Sequence, residues 1–323
     1  GGTGIDKMFG GTGDDTYMIR DATDYAYEYA NEGTDLAMAS VSYALRANIE
    51  NLTLTGTANL AGKGNELDNV ITGNDGANRL SGMAGDDTLV GGGGRDILDG
   101  GTGNDTMSGG GGNDTYIVDS SSDTIVETAD GGVDFVQSTA SYTLGANVER
   151  MYLMGTASID GTGNELANLL VGNSGDNALS GLGANDRLYG GGGNDTLNGG
   201  DGNDYMEGGA GQDDFIGGSG KDYFVFRDGD FGGATAASAD RIEDFAYGDR
   251  ISLSPVDANT TLSGNQAFHF LGSSAFDGTA GALHYEQTGG NTYISGDTNG
   301  DGIADFMIRL DGLHTLSSGD FLL

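Results

Sequence analysis

"GGGGRDILDGGTGNDTMSGGGGNDTYIV", residues 91–118, decides how this chain folds. Glycine recurs in clusters, and aspartate returns every ninth residue, at Asp96, Asp105 and Asp114. Glycine loses more conformational freedom on folding than any other residue, and rows of carboxylates repel one another. A stretch written this way folds only if something outside the chain offsets both costs.

The frame is G-G-x-G-x-D-x-U-x, with U apolar. Its acid position is filled by Asp6, Asp15, Asp87, Asp96, Asp105 and Asp114, and in a second run by Asp186, Asp195, Asp204, Asp213 and Asp222. Asn78 and Asn177 hold the same phase in weaker copies, with Asn69 and Asn168 one copy further upstream. Two residues later, U reads Met8, Tyr17, Leu80, Leu89, Leu98, Met107 and Tyr116, then Leu179, Leu188, Leu197, Met206, Phe215 and Phe224. A flexible glycine-rich linker would not keep an apolar residue in fixed phase. A longer period lies on top. "SYALRANIENLTLTGTANLAGKGNELDN" (42–69) matches "SYTLGANVERMYLMGTASIDGTGNELAN" (141–168), residue 42 against 141, an offset of 99. Eleven nines make 99, so the large duplication keeps the phase of the small one, as a stack of equal coils requires.

Each unit reads as a six-residue turn followed by an x-U-x strand, whose one large side chain points inward. Successive strands alternate between two sheets, and two units close one eighteen-residue coil. Such a core is thin. At roughly 25 cal/mol per Å² of apolar burial it does not offset the ordering of so much glycine. Calcium supplies the difference. Glycine-rich turns expose carbonyl oxygens, the acid position adds carboxylates, and Ca²⁺ takes six to eight hard oxygen ligands in flexible geometry. An ion held between a turn and the next turn on the same edge would draw carboxylates from both and cancel their repulsion.

This pattern resembles the RTX (repeats-in-toxin) family, which implies a parallel β-roll with Ca²⁺ in the turns of both edges. Two departures stand out. Asn78 and Asn177 lack charge, so ions there are expected to be weaker or absent. Ala184 takes the place of a turn glycine in "GLGANDRLY" and is expected to distort that turn.

Composition agrees. Of 323 residues, 63 are Gly and one is Pro, and none is Cys or Trp. Collagen is excluded for want of a Gly-x-y period with abundant Pro, and disulfide scaffolds and thiolate metal sites for want of Cys. With 13 Lys and Arg against 49 Asp and Glu, the formal charge is −36. Nucleic acid and anionic membrane both need a basic surface, so neither is an expected partner, and no apolar run is long enough for a membrane span. The first residues already lie inside a repeat, and the chain reads as part of a longer protein.

The fold class expected is all-β: a parallel β-roll or β-helix of nine-residue repeats, with larger interrupting coils and a β-rich C-terminal cap. The array spans 1–222, with calcium-binding runs at 1–17, 69–116 and 168–222. The inserts, 18–68 and 117–167, are β-branched and aromatic, and are expected to form larger, calcium-free coils with a wider core. From 223 to 323, "DRIEDFAYGDRISLS" (240–254) and "GGNTYISGDTNGDGIADFMIRLDG" (289–312) resemble the C-terminal domain of serralysin-type metalloproteases. That resemblance implies a cap carrying the secretion signal. "DTNGDGIAD" offers Asp297, Asn299, Asp301 and Asp305 at the spacing of an oxygen-ligand calcium loop. A bare Asx-rich turn is the alternative. The ending "LSSGDFLL", with Asp320 before Phe321, Leu322 and Leu323, looks like a type I secretion signal, or an edge strand.

No catalytic site is legible. His269, His284 and His314 fall in no H-E-x-x-H, and no G-x-S-x-G occurs. The expectation is a secreted or cell-surface calcium-binding module that is not an enzyme, with the type I export machinery as its partner. A surface-layer, adhesive or biofilm role with self-association is the alternative, and glycan binding a third.

Overall fold

The structure, a computed structural model, describes residue 2 and residues 4–323, and the chain divides into two compact units, residues 1–152 and 153–323. Each is built of stacked parallel coils. In the first unit, Thr16–Ile19, Leu36–Ala39, Asn51–Leu54, Val70–Thr72, Thr88–Gly93, Thr106–Gly111 and Thr124–Ile125 form one parallel sheet. Alternating with them along the chain, Tyr43–Ala44, Ala61–Lys63, Arg79–Ala84, Ile97–Thr102, Thr115–Val118 and Phe135–Ser138 pair in parallel on the other side. The register is the eighteen-residue coil itself, with Leu89 opposite Met107 and Leu98 opposite Tyr116.

The repeat strands are longer than the three residues the pattern suggests. Thr88–Gly93 runs through x-U-x into the next G-G-x, and its inward residues are Leu89 and then Gly91. Leu80, Leu89, Leu98, Met107 and Tyr116 are fully buried. Glycine is the second inward residue because the carboxylate of its own turn crowds that space, as shown below.

The insert 18–68 keeps the stack. Tyr17, Ala37, Leu52, Ile71 and Leu89 lie in successive register, at steps of 20, 15, 19 and 18 residues. The first three steps together restore the phase of three ordinary coils, and individual coils vary on both sides of eighteen. The core gains here because both inward positions are apolar, as in Ala37 with Ala39 and Leu52 with Leu54, all buried. A glycine no longer takes every second inward place.

In the second unit, Ala178–Gly183, Thr196–Gly202, Asp214–Gly220 and Asp240–Ile242 form one parallel ladder. Leu169–Val171, Arg187–Gly192, Tyr205–Ala210, Tyr223–Val225, Arg250–Ser252 and Phe321–Leu322 form the other. Its last coil is lengthened to 27 residues, Phe215 pairing with Ile242 and Phe224 with Ile251. Beyond it, Ala282–Thr288, Asn291–Asp297 and Phe306–Leu310 pair antiparallel, and Phe306–Leu310 joins Asp240–Ile242 in parallel. A mixed sheet thereby continues the roll. The U residues change to phenylalanine at this junction. Phe215 packs edge-on against Phe224 and Phe226, and Phe231 bridges Phe226 to Phe306. The terminal "DFLL" is an edge strand in the folded state: Ile251 faces Phe321, which is buried, and Asp320 closes a one-turn 3-10 helix in a capping box with Ser317. Among the described residues no helix is long and apolar enough to cross a membrane.

Ala184 stays in the left-handed region, at φ +66° where Gly85 and Gly193 have +115° and +109°. Its turn is bent rather than lost. Asn203 of the next coil still donates its backbone N–H to Asn185 Oδ1 at 2.7 Å.

Candidate metal centres

Stacking places the acid position of every coil directly over that of its neighbours. Along one edge of the first unit, the backbone N–H of Asn69 donates to Asp87 Oδ1 (2.7 Å), that of Asp87 to Asp105 Oδ1 (2.8 Å), and that of Asp105 to Asp123 Oδ1 (3.1 Å). Along the other, Asn78 donates to Asp96 and Asp96 to Asp114 (2.7 Å each), and Asp114 to Asp134 (2.8 Å). The second unit repeats both rows: Asn168, Asp186, Asp204, Asp222 and Asp249 on one edge, Asn177, Asp195, Asp213 and Asp240 on the other. One carboxylate oxygen per turn is thus fixed by the preceding coil.

The other oxygen is not. Oδ2 of Asp87, Asp96, Asp105, Asp114, Asp134, Asp186, Asp195, Asp204 and Asp222 is buried without a hydrogen-bond partner. An orphaned buried carboxylate oxygen is costly, and a cation is the usual remedy. The surrounding atoms fit one. A Cβ built on Gly91 would lie 2.3 Å from Asp96 Oδ2 and 2.7 Å from the Gly109 carbonyl oxygen; on Gly190, 2.3 Å from Asp195 Oδ2 and 2.4 Å from Gly208 O; on Gly199, 2.3 Å from Asp204 Oδ2 and 2.7 Å from Gly217 O. Carboxylate and carbonyl oxygens therefore converge, coil after coil, on space that only glycine leaves open. This all-oxygen set suits a hard cation such as Ca²⁺.

Electrostatics shows what the chain suffers by itself. Burial pushes the carboxyls of Asp87, Asp134 and Asp186 up to about 7, and those of Asp96, Asp105, Asp195 and Asp222 up to about 6. Asp213 is pushed to about 8, again chiefly by burial, with Asp240 and Asp195 adding repulsion. Asp114 and Asp204 are raised as well, for the same first cause.

A second row lies one residue earlier. Asp86 Oδ1 accepts the backbone N–H of Asn104 in the next coil (2.8 Å), and Asp176 does so from Asn194, Asn185 from Asn203 and Asn194 from Gln212. The two rows run in opposite directions, which explains why the residue before the acid is so often Asn or Asp.

The remaining candidates behave differently. Asp6 and Asp15 join the array through their backbone N–H groups, which donate to Asp24 Oδ1 (3.2 Å) and Asp35 Oδ1 (2.8 Å). Asn78 accepts from Asn74 N at 2.7 Å and donates to Asn74 Oδ1 at 3.0 Å, and Asn177 makes the same pair with Asn173. Both amide oxygens are satisfied within their own turn, and both amide nitrogens also donate to the preceding coil, to Leu60 O and Ile159 O. In the 297–305 loop, Asp297 accepts from the backbone of Asn299, Gly300 and Gly302, and Asp305 from Thr298 and the Asn299 amide. Asn299 and Asp301 accept from Asp301 N and Ile303 N. These side chains thus accept from donors of their own loop. The histidines stand apart: His284 packs edge-on against Phe276, His314 against Phe245, and His269 lies 3.9 Å from Asp277.

Residues that the nine-residue frame does not flag complete the rows: Asp24, Asp35, Glu50, Asp123, Asp134 and Glu149 in or beside the inserts, and Asp240 and Asp249 beyond the repeats. Asp24, Asp123, Asp240 and Asp249 keep the nine-residue phase, at spacings of 18 and 27, but lack the glycine frame around them; Asp35, Asp134, Glu50 and Glu149, at spacings of 20 and 15, leave the phase altogether.

The sequence profile described as RTX calcium-binding nonapeptide repeat (4 copies) matches residues 1–18, 63–98 and 90–125. That of the peptidase M10 serralysin C terminal matches residues 171–323. Among characterised proteins, the chain is 50% identical over 66 residues to the endo-1,3-1,4-beta-glycanase ExsH of Rhizobium meliloti (strain 1021), and 39% identical over 66 residues to the endo-1,3-1,4-beta-glycanase EglC of the same organism. Each match covers 20% of this chain and only 14% of the relative. A solution structure, the AlgE6R3 subunit of the Azotobacter vinelandii mannuronan C5-epimerase, is 30% identical with a TM-score of 0.34, over 47% of this chain and 80% of that one.

Proposed function

Because the chain carries RTX calcium-binding repeats followed by a serralysin-type C-terminal domain, we propose that it is a calcium-dependent folding and export module of a larger secreted protein. The observation that carries this reading is the row of buried aspartate oxygens with no partner, repeated on both edges of both units. Without cations, a chain of charge −36 must either bury repelling carboxylates or stay open. Asp96, Asp105, Asp195, Asp204 and their neighbours would hold the ions, with the carbonyls of Gly109, Gly208 and Gly217 facing the same gaps. Bound calcium supplies positive charge between coils and takes up the orphaned oxygens. The chain's own part is to keep one oxygen of each carboxylate pinned to the preceding coil, so that the other is already aimed.

Cytosolic calcium is scarce, so the repeats would remain open during transit through a type I channel and close outside. The C-terminal strand supports an order of events. Phe321 is buried once folded, so a signal there would be read before the cap forms. We assign this segment no catalysis. Far-UV circular dichroism against Ca²⁺, with Mg²⁺ as control, tests the proposal. A cooperative rise of β signal with Ca²⁺ alone is expected; a full β spectrum in chelator would overturn it. Size-exclusion at the end point separates a monomeric export module from a self-assembling surface protein.

A further inference from the structure

The inserts contain two clusters that no nine-residue frame predicts. Asp15, Glu28 and Asp35 bring one carboxylate oxygen each within 4.8 Å of one another, and so do Asp114, Glu127 and Asp134. The second set is the first displaced by the 99-residue offset, residue for residue. Each takes one acid from the last nonapeptide turn and two from the insert that follows, at a spacing of 20 between the aspartates instead of 18.

Several of their oxygens are buried without a hydrogen-bond partner. Asp134 is 0% and Asp114 1% exposed, and Oδ2 of each has no partner. Glu28 is 8% exposed, and neither of its oxygens has one. A Cβ built on Gly10 would sit 2.4 Å from Asp15 Oδ2 and 2.6 Å from Glu28 Oε1; one built on Gly131 would meet Glu127 Oε2 at 2.6 Å, Thr128 O at 3.0 Å and Gly110 O at 3.2 Å. Carbonyl and carboxylate oxygens thus crowd the same gap. The U residue changes in step. At these two coils it is tyrosine, Tyr17 and Tyr116, where the neighbouring coils of the same runs carry Leu or Met. Tyr116 donates its hydroxyl to Glu127 Oε1 while accepting the N–H of Gly109 (2.6 Å), and Tyr17 accepts that of Gly10 (2.8 Å). In the second cluster the larger U side chain, Tyr116, reaches the acid itself and orients Glu127.

We propose that Asp15–Glu28–Asp35 and Asp114–Glu127–Asp134 are two further sites for a hard divalent cation of the calcium class, each tying an insert to the nonapeptide run before it. Three carboxylates on one ion make these sites richer in charge than a turn that offers two aspartates. The inserts then fold with calcium rather than independently of it. The identity of the ion rests on the calcium reading above; the sites themselves rest on the insert residues.

The whole chain serves for the test. Calcium stoichiometry by equilibrium dialysis is compared between the wild type and Glu28→Gln, Glu127→Gln and the double variant, with circular dichroism at saturating Ca²⁺ as the folding check. Each single variant is expected to lose one ion and the double variant two, with β content retained. A double variant that binds as many ions as the wild type with unchanged affinity overturns the two sites and leaves the calcium module standing. A wild type that binds none overturns both. Terbium gives an independent readout, since the chain has no Trp and emission is sensitised through tyrosine. Tyr116→Phe should lower that emission by a quarter or more, whereas Asp204→Asn, which touches only the nonapeptide row, should spare the Tyr116-dependent part. Emission indifferent to Tyr116 counts against the second site even if Glu127→Gln does not fold.

Discussion

Replacing Asp96 by Asn should change stability in opposite directions with and without calcium. Asp96 is fully buried, its Oδ1 accepts the backbone N–H of Asn78 at 2.7 Å, and its Oδ2 has no partner. An amide in its place can keep the first bond and turn its nitrogen toward the gap shared with the Gly109 carbonyl. In chelator at pH 7.5 the wild-type carboxylate is ionised against its surroundings, which push it up to about 6 from 3.8. At about 1.4 kcal/mol per pKa unit the gross relief is roughly 3 kcal/mol. Relaxation of the polar groups around the buried carboxylate offsets part of it, so a gain on the order of 1–2 kcal/mol is expected. With calcium the sign reverses. Asp96 is stacked between Asn78 and Asp114, and losing its charge should cost about tenfold in ion affinity, or about 1.4 kcal/mol. The assay is a pair of titrations followed by circular dichroism. In chelator, an excluded osmolyte drives folding, and Asp96→Asn should need less of it. In millimolar Ca²⁺, urea unfolds the chain, and the variant should yield earlier. A variant destabilised in both media would refute the claim that the acid row opposes the metal-free fold.

Acid should partly replace calcium. The raised aspartates bind more protons in the folded than in the unfolded chain, so the stability they allow is complete below about pH 4 and lost as pH rises through about 6 to 8; circular dichroism in chelator should show β signal at pH 4–5 fading by pH 8. Gly91→Ala keeps an allowed backbone but puts a methyl 2.3 Å from Asp96 Oδ2 and 2.7 Å from Gly109 O, so the calcium midpoint should rise tenfold or more in the same titration. Leu98→Ala empties one fully buried U position and should cost about 2–5 kcal/mol, read as an earlier urea midpoint in calcium. Ala184→Gly should instead stabilise by about 1 kcal/mol, because φ +66° is strained for alanine; thermal unfolding in calcium reads the gain as a raised midpoint.

Much of this protein is legible in its residues. Asp87 to Asp114 and Asp186 to Asp222 fix the coil at eighteen residues, and the apolar residue two places after each acid fixes which side is core. That the acid rows suit a hard cation follows from their number and phase. These are properties of periodicity, and periodicity survives in a linear string. The tertiary structure decided what periodicity cannot carry. Glu28 and Glu127 are ordinary glutamates in sequence, yet coils of irregular length bring them beside Asp35 and Asp134. Asp240 and Asp249 extend the acid rows past the last repeat because a 27-residue coil still closes in register. Asn78 and Asn177 keep the phase of a ligand, but their amide oxygens accept from their own turns and their amide nitrogens donate to the preceding coil, while Asp297 accepts from the backbone of its own loop. Whether an oxygen is free to take an ion depends on which donors surround it after folding, and those donors come from coils whose distance along the chain obeys no single number.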